Sequence, residues 1–562
     1  MRGSGDVKLN TSDKSFSVVA LGGLSEIGMN CLVVEVANRL LLIDCGAMFS
    51  SEEMGVDIIH PGFSYLNERR DDIEGLVLTH AHEDHIAGAP FLLREADVPV
   101  YGGPYALGLL EGKMRDFTSP PKLDAREFLP GGSAKLGPFS VTSFSMPHSI
   151  IENTGLLIDT PAGNLLHTGD FKLRLESQNQ GRDILSKLAE MGERNVDLML
   201  ADSTGSEEDK ISGEESEVGK ALDRLVSETP GRVYVAIFAS NIRRLEMICQ
   251  VAKQRGRQVS LCGRSVHNHF EVASRNGKLA VPAGLVVPLE KANEIERHRS
   301  LVVVSGTQGE MRSALGRLAN ANHHILRIDQ DDLVVLSSRF IPGNELAIGR
   351  IIDRLHLLGA RVVHRGLQSD VHVSGHGARI EIRKAIETVA PRCFVPVHGT
   401  LRHLVACSNL AKDAKVKDIV VASNGDKVSC GPDGLSVQRG HVRTRRVFID
   451  GDSGLNETVI KDRRILGSHG VLIVILAVDE NGNIFPPINI VARGVTTEEA
   501  LPWLVENTRD KVHSTVEEMD SKDRQDRETC GEIVRAALRK HIRKEMSREP
   551  YVLVSILSNK SA

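Results

Sequence analysis

Six consecutive residues, His80-Ala81-His82-Glu83-Asp84-His85, carry three imidazoles and two carboxylates. They follow directly on an apolar run, Leu76-Val77-Leu78, that reads as the end of a buried strand within Asp72 to Thr79. The segment therefore sits at a strand's C-terminal end, where α/β proteins place ligands. Such groups do not form a core, because burying them unpaired costs several kcal/mol. A solvated polar loop is the plain alternative, and further candidates at other strand ends argue against it. Met146-Pro147-His148-Ser149 follows the expected strand Phe139 to Phe144. His167-Thr168-Gly169-Asp170 follows Asn164 to Leu166, and Val395-Pro396-Val397-His398-Gly399 ends another strand. Each brings an imidazole or a carboxylate to the same edge of a sheet. These are the ligands of Zn²⁺ and comparable metals. Seven of them exceed one tetrahedral site and suit two ions about 3.5–4 Å apart, which polarise a phosphoryl oxygen and generate a hydroxide.

Composition bounds the rest. At 562 residues, roughly three to four domains are expected. With 41% apolar and 25% charged residues, collagen-like, low-complexity and disordered classes are excluded. The longest apolar run, Val471 to Val478, is far short of the about 20 residues of a membrane span, so no membrane partner is expected. The N-terminus has no apolar signal core, so secretion is not expected, and Met1 to Gly5 is set aside from fold reasoning. A net charge of −5 excludes a uniformly basic nucleic-acid coat but leaves room for a local basic cleft. At 4% aromatics, binding mainly by stacking bases is disfavoured. The eight cysteines form no C-x-x-C pair and read as buried thiols of a reducing cytoplasm.

Along the chain, residues 16 to 100 begin β-rich, with strands at Phe16 to Leu21, Cys31 to Val36 and Leu40 to Asp44. A mixed α/β pattern runs to about residue 200. Ser206 to Glu217 is polar and acidic, as a linker is. From Gly231 strands and helices alternate, which argues for a parallel sheet flanked by helices: strands Arg232 to Phe238, Gln258 to Cys262, Leu301 to Val304 and Leu333 to Leu336, with helix Asn241 to Arg255; a helix, Glu345 to Leu358, then leads to a strand, Arg361 to His364. Residues 380 to 435 return to shorter strands and one helix. The expected parts are 1–204, an inserted domain 205–358, a completing part 359–438, a linker 439–454 and a small α+β domain 455–562. In the last, Val471 to Val478 and Ile484 to Val491 flank a hairpin turn, Thr496-x-x-Glu499 reads as a capping box, and a helix from about Arg524 to Met546 precedes the strand Tyr551 to Leu557.

The histidine and aspartate segments resemble those of the β-CASP group of metallo-β-lactamase-fold hydrolases, most closely the bacterial ribonuclease J family, over nearly the whole chain. The resemblance implies an α/β fold: a metallo-β-lactamase αββα sandwich with an inserted parallel-sheet β-CASP domain and a small C-terminal α+β domain. It implies two divalent ions, Zn²⁺ with Mn²⁺ as the alternative. His80, His82 and His148 would hold one; Asp84, His85 and His398 would hold the other; Asp170 would bridge. Asp44, in Leu42-Ile43-Asp44-Cys45-Gly46, matches the motif that supports the metal loop from behind. Asp202 in Ala201-Asp202-Ser203-Thr204, His376 in Val373-Ser374-Gly375-His376-Gly377, and His398 match motifs A, B and C. The resemblance places Asp84, Asp202 and His376 in the catalytic set, with His376 as general acid to the leaving oxygen. A neighbouring carboxylate favours a protonated imidazole. A histidine at motif C goes with RNA substrates, where DNA-directed members carry a small apolar residue.

Further matching segments are Phe238-Ala239-Ser240-Asn241, Ser305 to Glu310 and Ile341 to Glu345. Ser240 and Asn241 are candidates to present a hydroxyl and N–H groups to a phosphate, although Ser-Asn is also an ordinary helix cap. The loop His372-Val373-Ser374-Gly375-His376 is a better phosphate cradle, and in the family it binds the substrate's 5′ phosphate. The chain departs from the family at Ile151-Glu152 and at Ser338-Arg339-Phe340; neither touches an expected ligand.

The expected activity is cytoplasmic, metal-dependent hydrolysis of single-stranded RNA in RNA maturation and decay: 5′→3′ exonuclease preferring 5′-monophosphate ends, with endonuclease activity. Three readings compete. A small-molecule hydrolase needs no inserted domain, and a DNA-directed relative is disfavoured by His398. A non-catalytic RNA-binding scaffold loses metal ligands, whereas here all seven are present. The resemblance also implies a homodimer or higher homo-oligomer through the C-terminal domain. The basic stripe Arg535, Arg539, Lys540, Arg543, Lys544 and Arg548 reads equally as an RNA contact or a solvated helix face.

Overall fold

The computed structural model describes residues 14–49, 55–175, 178–211, 213–341, 343–451, 453–479 and 481–558. The segment Met1 to Gly5 lies outside them. The chain divides into two compact units, Met1–Ser51 with Ile58–Val447, and Glu52–Asp57 with Phe448–Ala562.

The first unit contains two facing sheets. In one, strands Phe16–Gly22, Cys31–Val36, Arg39–Ile43, Ile73–Val77 and Val100–Gly102 lie in that order, with Lys427–Gly431 on the far side of Phe16–Gly22. In the other, Cys393–Val397, Leu198–Asp202, Gly163–His167, Thr154–Thr160 and Phe139–Ser145 are neighbours in that order. Alternation of side chains along each strand fills two layers. Leu156, Ile158, Leu198 and Leu200 meet Phe16, Val18, Val34 and Leu41 of the facing sheet. Leu157, Leu166, Met199 and Phe394 point the other way, onto helices Arg379–Val389 and Leu401–Asp413 through Ile382, Ile386, Cys407 and Leu410. Strands buried on both faces are what βα crossovers produce.

The inserted part is a five-stranded, wholly parallel sheet in the order Gln258–Cys262, Ser300–Val304, Val233–Ala236, Leu333–Leu336, Arg361–His364. The chain leaves Val233–Ala236 toward one edge and Leu333–Leu336 toward the other, so the sheet's switch point lies between these two strands.

Several elements differ from expectation. The parallel sheet includes Arg361–His364, beyond the boundary expected at 358, because its Val362 and Val363 register with Val334 and Val335. The expected linker from Ser206 ends in a helix, Glu215–Glu228, whose Val218, Ala221, Leu222 and Leu225 are buried despite its acidic start. Residues 380 to 435 contain two helices, not one. Within 439–454, Arg446–Asp450 and Ser453–Leu455 pair as antiparallel strands.

In the second unit Val471–Val478 is the central strand, antiparallel to Ile484–Arg493 and parallel to Tyr551–Ser558. Leu472, Val474 and Leu476 pack on helices Leu501–Glu517 and Arg527–Met546. Thr496-x-x-Glu499 does not cap the helix, which begins later at Leu501 with Pro502 in its first turn, a residue already set for that position. Among the described residues, no helix is long and apolar enough to cross a membrane. The eight cysteines are buried and free.

Candidate metal centre

Every candidate ligand leaves the C-terminal end of a strand. Gly163–His167, Leu198–Asp202 and Cys393–Val397 run parallel and side by side, delivering Asp170, Asp202 and His398. In the facing sheet Arg39–Ile43 and Ile73–Val77 are parallel neighbours that deliver Asp44 and the His80–His85 loop. The close approach behind that loop requires Gly46, where a Cβ would stand 1.6 Å from the Asp84 carbonyl oxygen. Asp44 and His398 both have left-handed backbones (φ 59° and 54°), uncommon for non-glycine residues and held here by the bonds their side chains make.

The ligand atoms fall into overlapping groups, each within 4.8 Å: His80, His82, His148 and Asp170; then Asp84, His85, Asp170 and His398. Asp170 belongs to both. His82 Nδ1 lies 2.9 Å from His80 Nε2 and 3.2 Å from His148 Nε2, and Asp170 Oδ2 lies 3.8 Å from each of those two Nε2 atoms. In the second group His398 Nε2 is 3.1 Å from Asp84 Oδ2 and 3.7 Å from Asp170 Oδ2, and His85 Nε2 is 3.4 Å from Asp170 Oδ2. Tetrahedral ligands at about 2.0–2.1 Å from an ion stand about 3.3 Å apart, so both groups have the dimensions of a divalent-metal site.

The hydrogen bonds behind each ring fix which nitrogen faces inward. His85 Nδ1–H donates to Asp44 Oδ2 at 2.8 Å, and Asp44 also accepts from Thr79 N–H at 2.7 Å and Thr79 O–H at 2.8 Å. Thr79 Oγ1 in turn accepts from His80 Nδ1–H at 3.0 Å. His148 Nδ1–H donates to the Gly375 carbonyl at 2.8 Å, and His398 Nδ1–H to Thr204 Oγ1 at 2.6 Å. Each Nε2 lone pair is left for the interior, while His82 turns its Nδ1 inward.

Electrostatics separates the two groups. Burial pushes His80 and His148 well below the ordinary imidazole range and holds His82 at about 4, so these three rings are neutral, the form in which an imidazole can ligate. In the second group burial also disfavours charge, but Asp170, Asp84 and Asp44 outweigh it and raise His85; Asp170 and Asp202 raise His398 likewise. Burial pushes the Asp170 carboxyl up, and His398 and His85 outweigh it and hold it down. Buried carboxylates that require cations fit a site where an ion takes the place of these protons.

Beside the ligands, His376 Nδ1 is 2.7 Å from Asp202 Oδ2. The His376 ring centroid lies 4.9 Å from that of His148 and 5.5 Å from that of His398. The loop before it is tied to the centre through Gly375, where a Cβ would meet Ser149 Oγ at 2.6 Å. Ser374 Oγ accepts from His376 N–H at 3.1 Å, and Val373 is buried. The His372 ring is buried, its Nδ1 has no hydrogen-bond partner among the described residues, and burial holds its pKa low. Ser240 makes no described side-chain bond to this loop. Asn241 caps helix Ile242–Gln254, its Oδ1 accepting from Arg244 N–H at 3.0 Å. The connection to the loop is indirect: the Arg244 guanidinium bonds Ser337, whose hydroxyl donates to Val371 O at 2.6 Å.

Sequence reasoning missed Lys172 and Glu381. Lys172 Nζ donates to Ser374 O at 3.0 Å and Gly213 O at 3.1 Å. Glu381 accepts from Leu173 N–H, Arg174 N–H and Ala378 N–H, at 2.9, 3.1 and 2.9 Å. A lysine between Phe171 and Leu173, both apolar, was the available signal for the first.

Comparison with known proteins agrees with this architecture. Family models match for the metallo-beta-lactamase superfamily (residues 26–225), the ribonuclease J beta-CASP domain (230–355), the Zn-dependent metallo-hydrolase RNA specificity domain (361–422) and the ribonuclease J C-terminal domain (458–559). The chain is 37% identical to ribonuclease J of Mycolicibacterium smegmatis, over 96% of this chain and 97% of that one. It is 36% identical to ribonuclease J of Mycobacterium tuberculosis and 32% to ribonuclease J 1 of Streptococcus pyogenes, with the same coverage. A crystal structure of a protein of unknown function from Enterococcus faecalis shares the fold, with TM-score 0.52 and 16% identity over 74% of this chain and all of that one.

Proposed function

The chain belongs to the ribonuclease J family, and on that premise we propose that it is a metal-dependent ribonuclease which hydrolyses single-stranded RNA from the 5′ end and also cleaves internally. The observation that carries this reading is the Asp202–His376 pair, which stands against both ligand groups, with the other imidazole nitrogen unpartnered among the described residues.

His80, His82, His148 and Asp170 would hold one divalent ion, and Asp84, His85, His398 and Asp170 the other; Zn²⁺ suits this nitrogen and oxygen donor set, and Mn²⁺ is the alternative. When bound, such a pair polarises a phosphoryl oxygen and lowers the pKa of water. The protein's own groups do the rest. Asp44 and Thr79 keep His85 and His80 in the ligating tautomer. Asp202 accepts a hydrogen bond from His376 Nδ1–H and so keeps the ring's Nε2–H directed at the leaving 3′ oxygen, to which the ring gives that proton as the P–O bond breaks. Ser374 and the N–H groups of its loop hold a 5′-terminal monophosphate, which sets the first phosphodiester at the centre.

A homodimer is supported by the second unit. The face of its sheet opposite the helices carries Phe485, Val491, Leu553 and Leu557, all at least 43% exposed. A cytoplasmic setting is consistent with eight free thiols.

The test is a time course of the metal-loaded protein on 5′-monophosphate, 5′-triphosphate and circular RNA, and on matched single-stranded DNA. The expected order places 5′-monophosphate RNA first, with circular RNA cut more slowly and DNA spared. Equal rates on RNA and DNA would overturn the RNA assignment; equal rates on all three RNAs would overturn the 5′-end reading.

A further inference from the structure

Lys172 is 4% exposed, yet its ammonium touches no carboxylate. Among the described residues its partners are two carbonyls, Ser374 O and Gly213 O, and no acidic group lies within ion-pair distance. Glu215, Glu381, Arg174 and Arg244 are the charged groups that act on it most strongly. Glu215 is taken up by a two-pronged bond to Arg244 at 2.8 and 2.9 Å. Among the described residues the lysine's charge therefore meets carbonyl oxygens and no carboxylate. A buried cation in that condition is costly, and an anion arriving nearby relieves the cost.

The backbone around Lys172 shows where that anion arrives. The Lys172 N–H donates to Pro147 O at 2.9 Å, next to His148, and Phe171 O accepts from Gly377 N–H at 2.7 Å. Lys172 is thereby anchored between the His148 segment and the Ser374 loop. In a trans peptide the C=O and the following N–H point in opposite directions. Pinning Ser374 O to the ammonium therefore turns the Gly375 N–H away from it. That N–H, like the Ser374 N–H, has no partner among the described residues, while those of His376 and Gly377 are already bonded.

We propose that Lys172 is the positioning residue of the 5′-phosphate loop: it orients the Ser374–Gly375 peptide so that its N–H receives the terminal phosphate, and it supplies the buried positive charge which that phosphate neutralises. This rests on the 5′-end reading above. A 5′-hydroxyl end brings no such charge, and an internal site in a circle has no end at all, so neither uses the device.

The experiment compares wild type, Lys172→Met and Lys172→Gln on 5′-monophosphate, 5′-hydroxyl and circular RNA, with KM and kcat separated. Methionine removes both charge and tether; glutamine retains a donor without the charge and serves if the methionine variant does not fold. For wild type, kcat/KM is expected to be higher on 5′-monophosphate than on 5′-hydroxyl ends. In both variants that preference is expected to fall about 10-fold or more, mainly through KM, as for loss of an interaction with a charged group. Cleavage of circular RNA should stay within about 2-fold, and glutamine should be the milder change. A wild type without 5′-monophosphate preference overturns the 5′-end reading beneath the proposal. A wild type with the preference and variants that keep it, or that lose all three activities equally, overturn the role of Lys172 alone.

Discussion

Asp202 Oδ2 stands 2.7 Å from His376 Nδ1, while its Oδ1 accepts the Thr204 N–H at 2.9 Å and faces His398 Nδ1 at 3.5 Å. One buried carboxylate therefore holds the proposed acid and also stands behind the His398 ring, whose Nδ1–H is bonded to Thr204. Burial pushes the Asp202 carboxyl up, but the charge and hydrogen bond of His376 outweigh it and hold the group ionised. Residues that act as a unit lose activity together, so the double variant is informative. His376→Ala and Asp202→Asn should each lower single-turnover cleavage by about 10²–10⁴-fold. The double variant should be scarcely slower than His376→Ala. Multiplicative losses would separate the two residues.

Metal content gives the second prediction. Because Asp170 joins both ligand groups, the intact protein should bind about two divalent ions per chain. His82→Ala and Asp84→Ala should bind fewer and lose hydrolysis while keeping the wild-type far-ultraviolet circular dichroism. Chelator-treated protein should be inactive until Zn²⁺ or Mn²⁺ is returned. Full activity without metal would exclude the two-ion centre.

Asp44 accepts from three donors, Thr79 N–H, Thr79 O–H and His85 Nδ1–H, and none of them is a metal. Asp44→Asn replaces one acceptor oxygen by a donor that faces donors. Partners of this kind are worth about 10- to 100-fold in metal affinity. The expected result is weaker metal binding in a competition titration with a chromophoric chelator, with kcat largely recovered at saturating metal. Unchanged affinity would mean that His85 holds its orientation without Asp44.

The candidate ligand segments were legible because each lies at the end of a strand whose apolar run is itself legible: Ile73–Val77 before His80, Gly163–His167 before Asp170, Cys393–Val397 before His398. Local pattern and chemistry coincide there. Lys172 and Glu381 were not legible, since their roles are set by partners some 200 residues away in the chain, at Ser374 and at Leu173. Ser240 and Asn241 looked like phosphate ligands from residue type alone, but the same Asn-led turn also caps a helix, and the Asn241 carboxamide is used for that. The capping box at Thr496 failed for a related reason: Pro502 sets the first turn of the helix, and the box lies before it. The acidic stretch before Glu228 hid a helix because its apolar stripe, Val218, Ala221, Leu222 and Leu225, begins only after a charged first turn.

His269 makes a joint in the first unit sensitive to acid. The Tyr105 hydroxyl donates to its Nδ1 at 2.5 Å, tying helix Pro104–Arg115 to helix Arg264–Arg275. Burial, with a contribution from Lys113, holds the His269 imidazole down at about 3. The unfolded chain takes up this proton at about 6.5, the folded chain only near 3. Between these values the unfolded state binds more protons, so stability rises with pH across that window. The contribution is complete above about pH 6.5 and is lost progressively on acidification. At pH 5 the loss amounts to about 2 kcal/mol, from roughly 1.5 units at about 1.36 kcal/mol each. His269→Gln keeps a donor and an acceptor for Tyr105 but does not titrate. Denaturant unfolding of wild type and variant at pH 8 and pH 5 measures the gap between them, and metal release, common to both, cancels in that gap. On moving to pH 5 the gap should shift by about 2 kcal/mol in favour of the variant. A gap independent of pH would show that His269 is protonated in the folded protein as readily as in the unfolded chain.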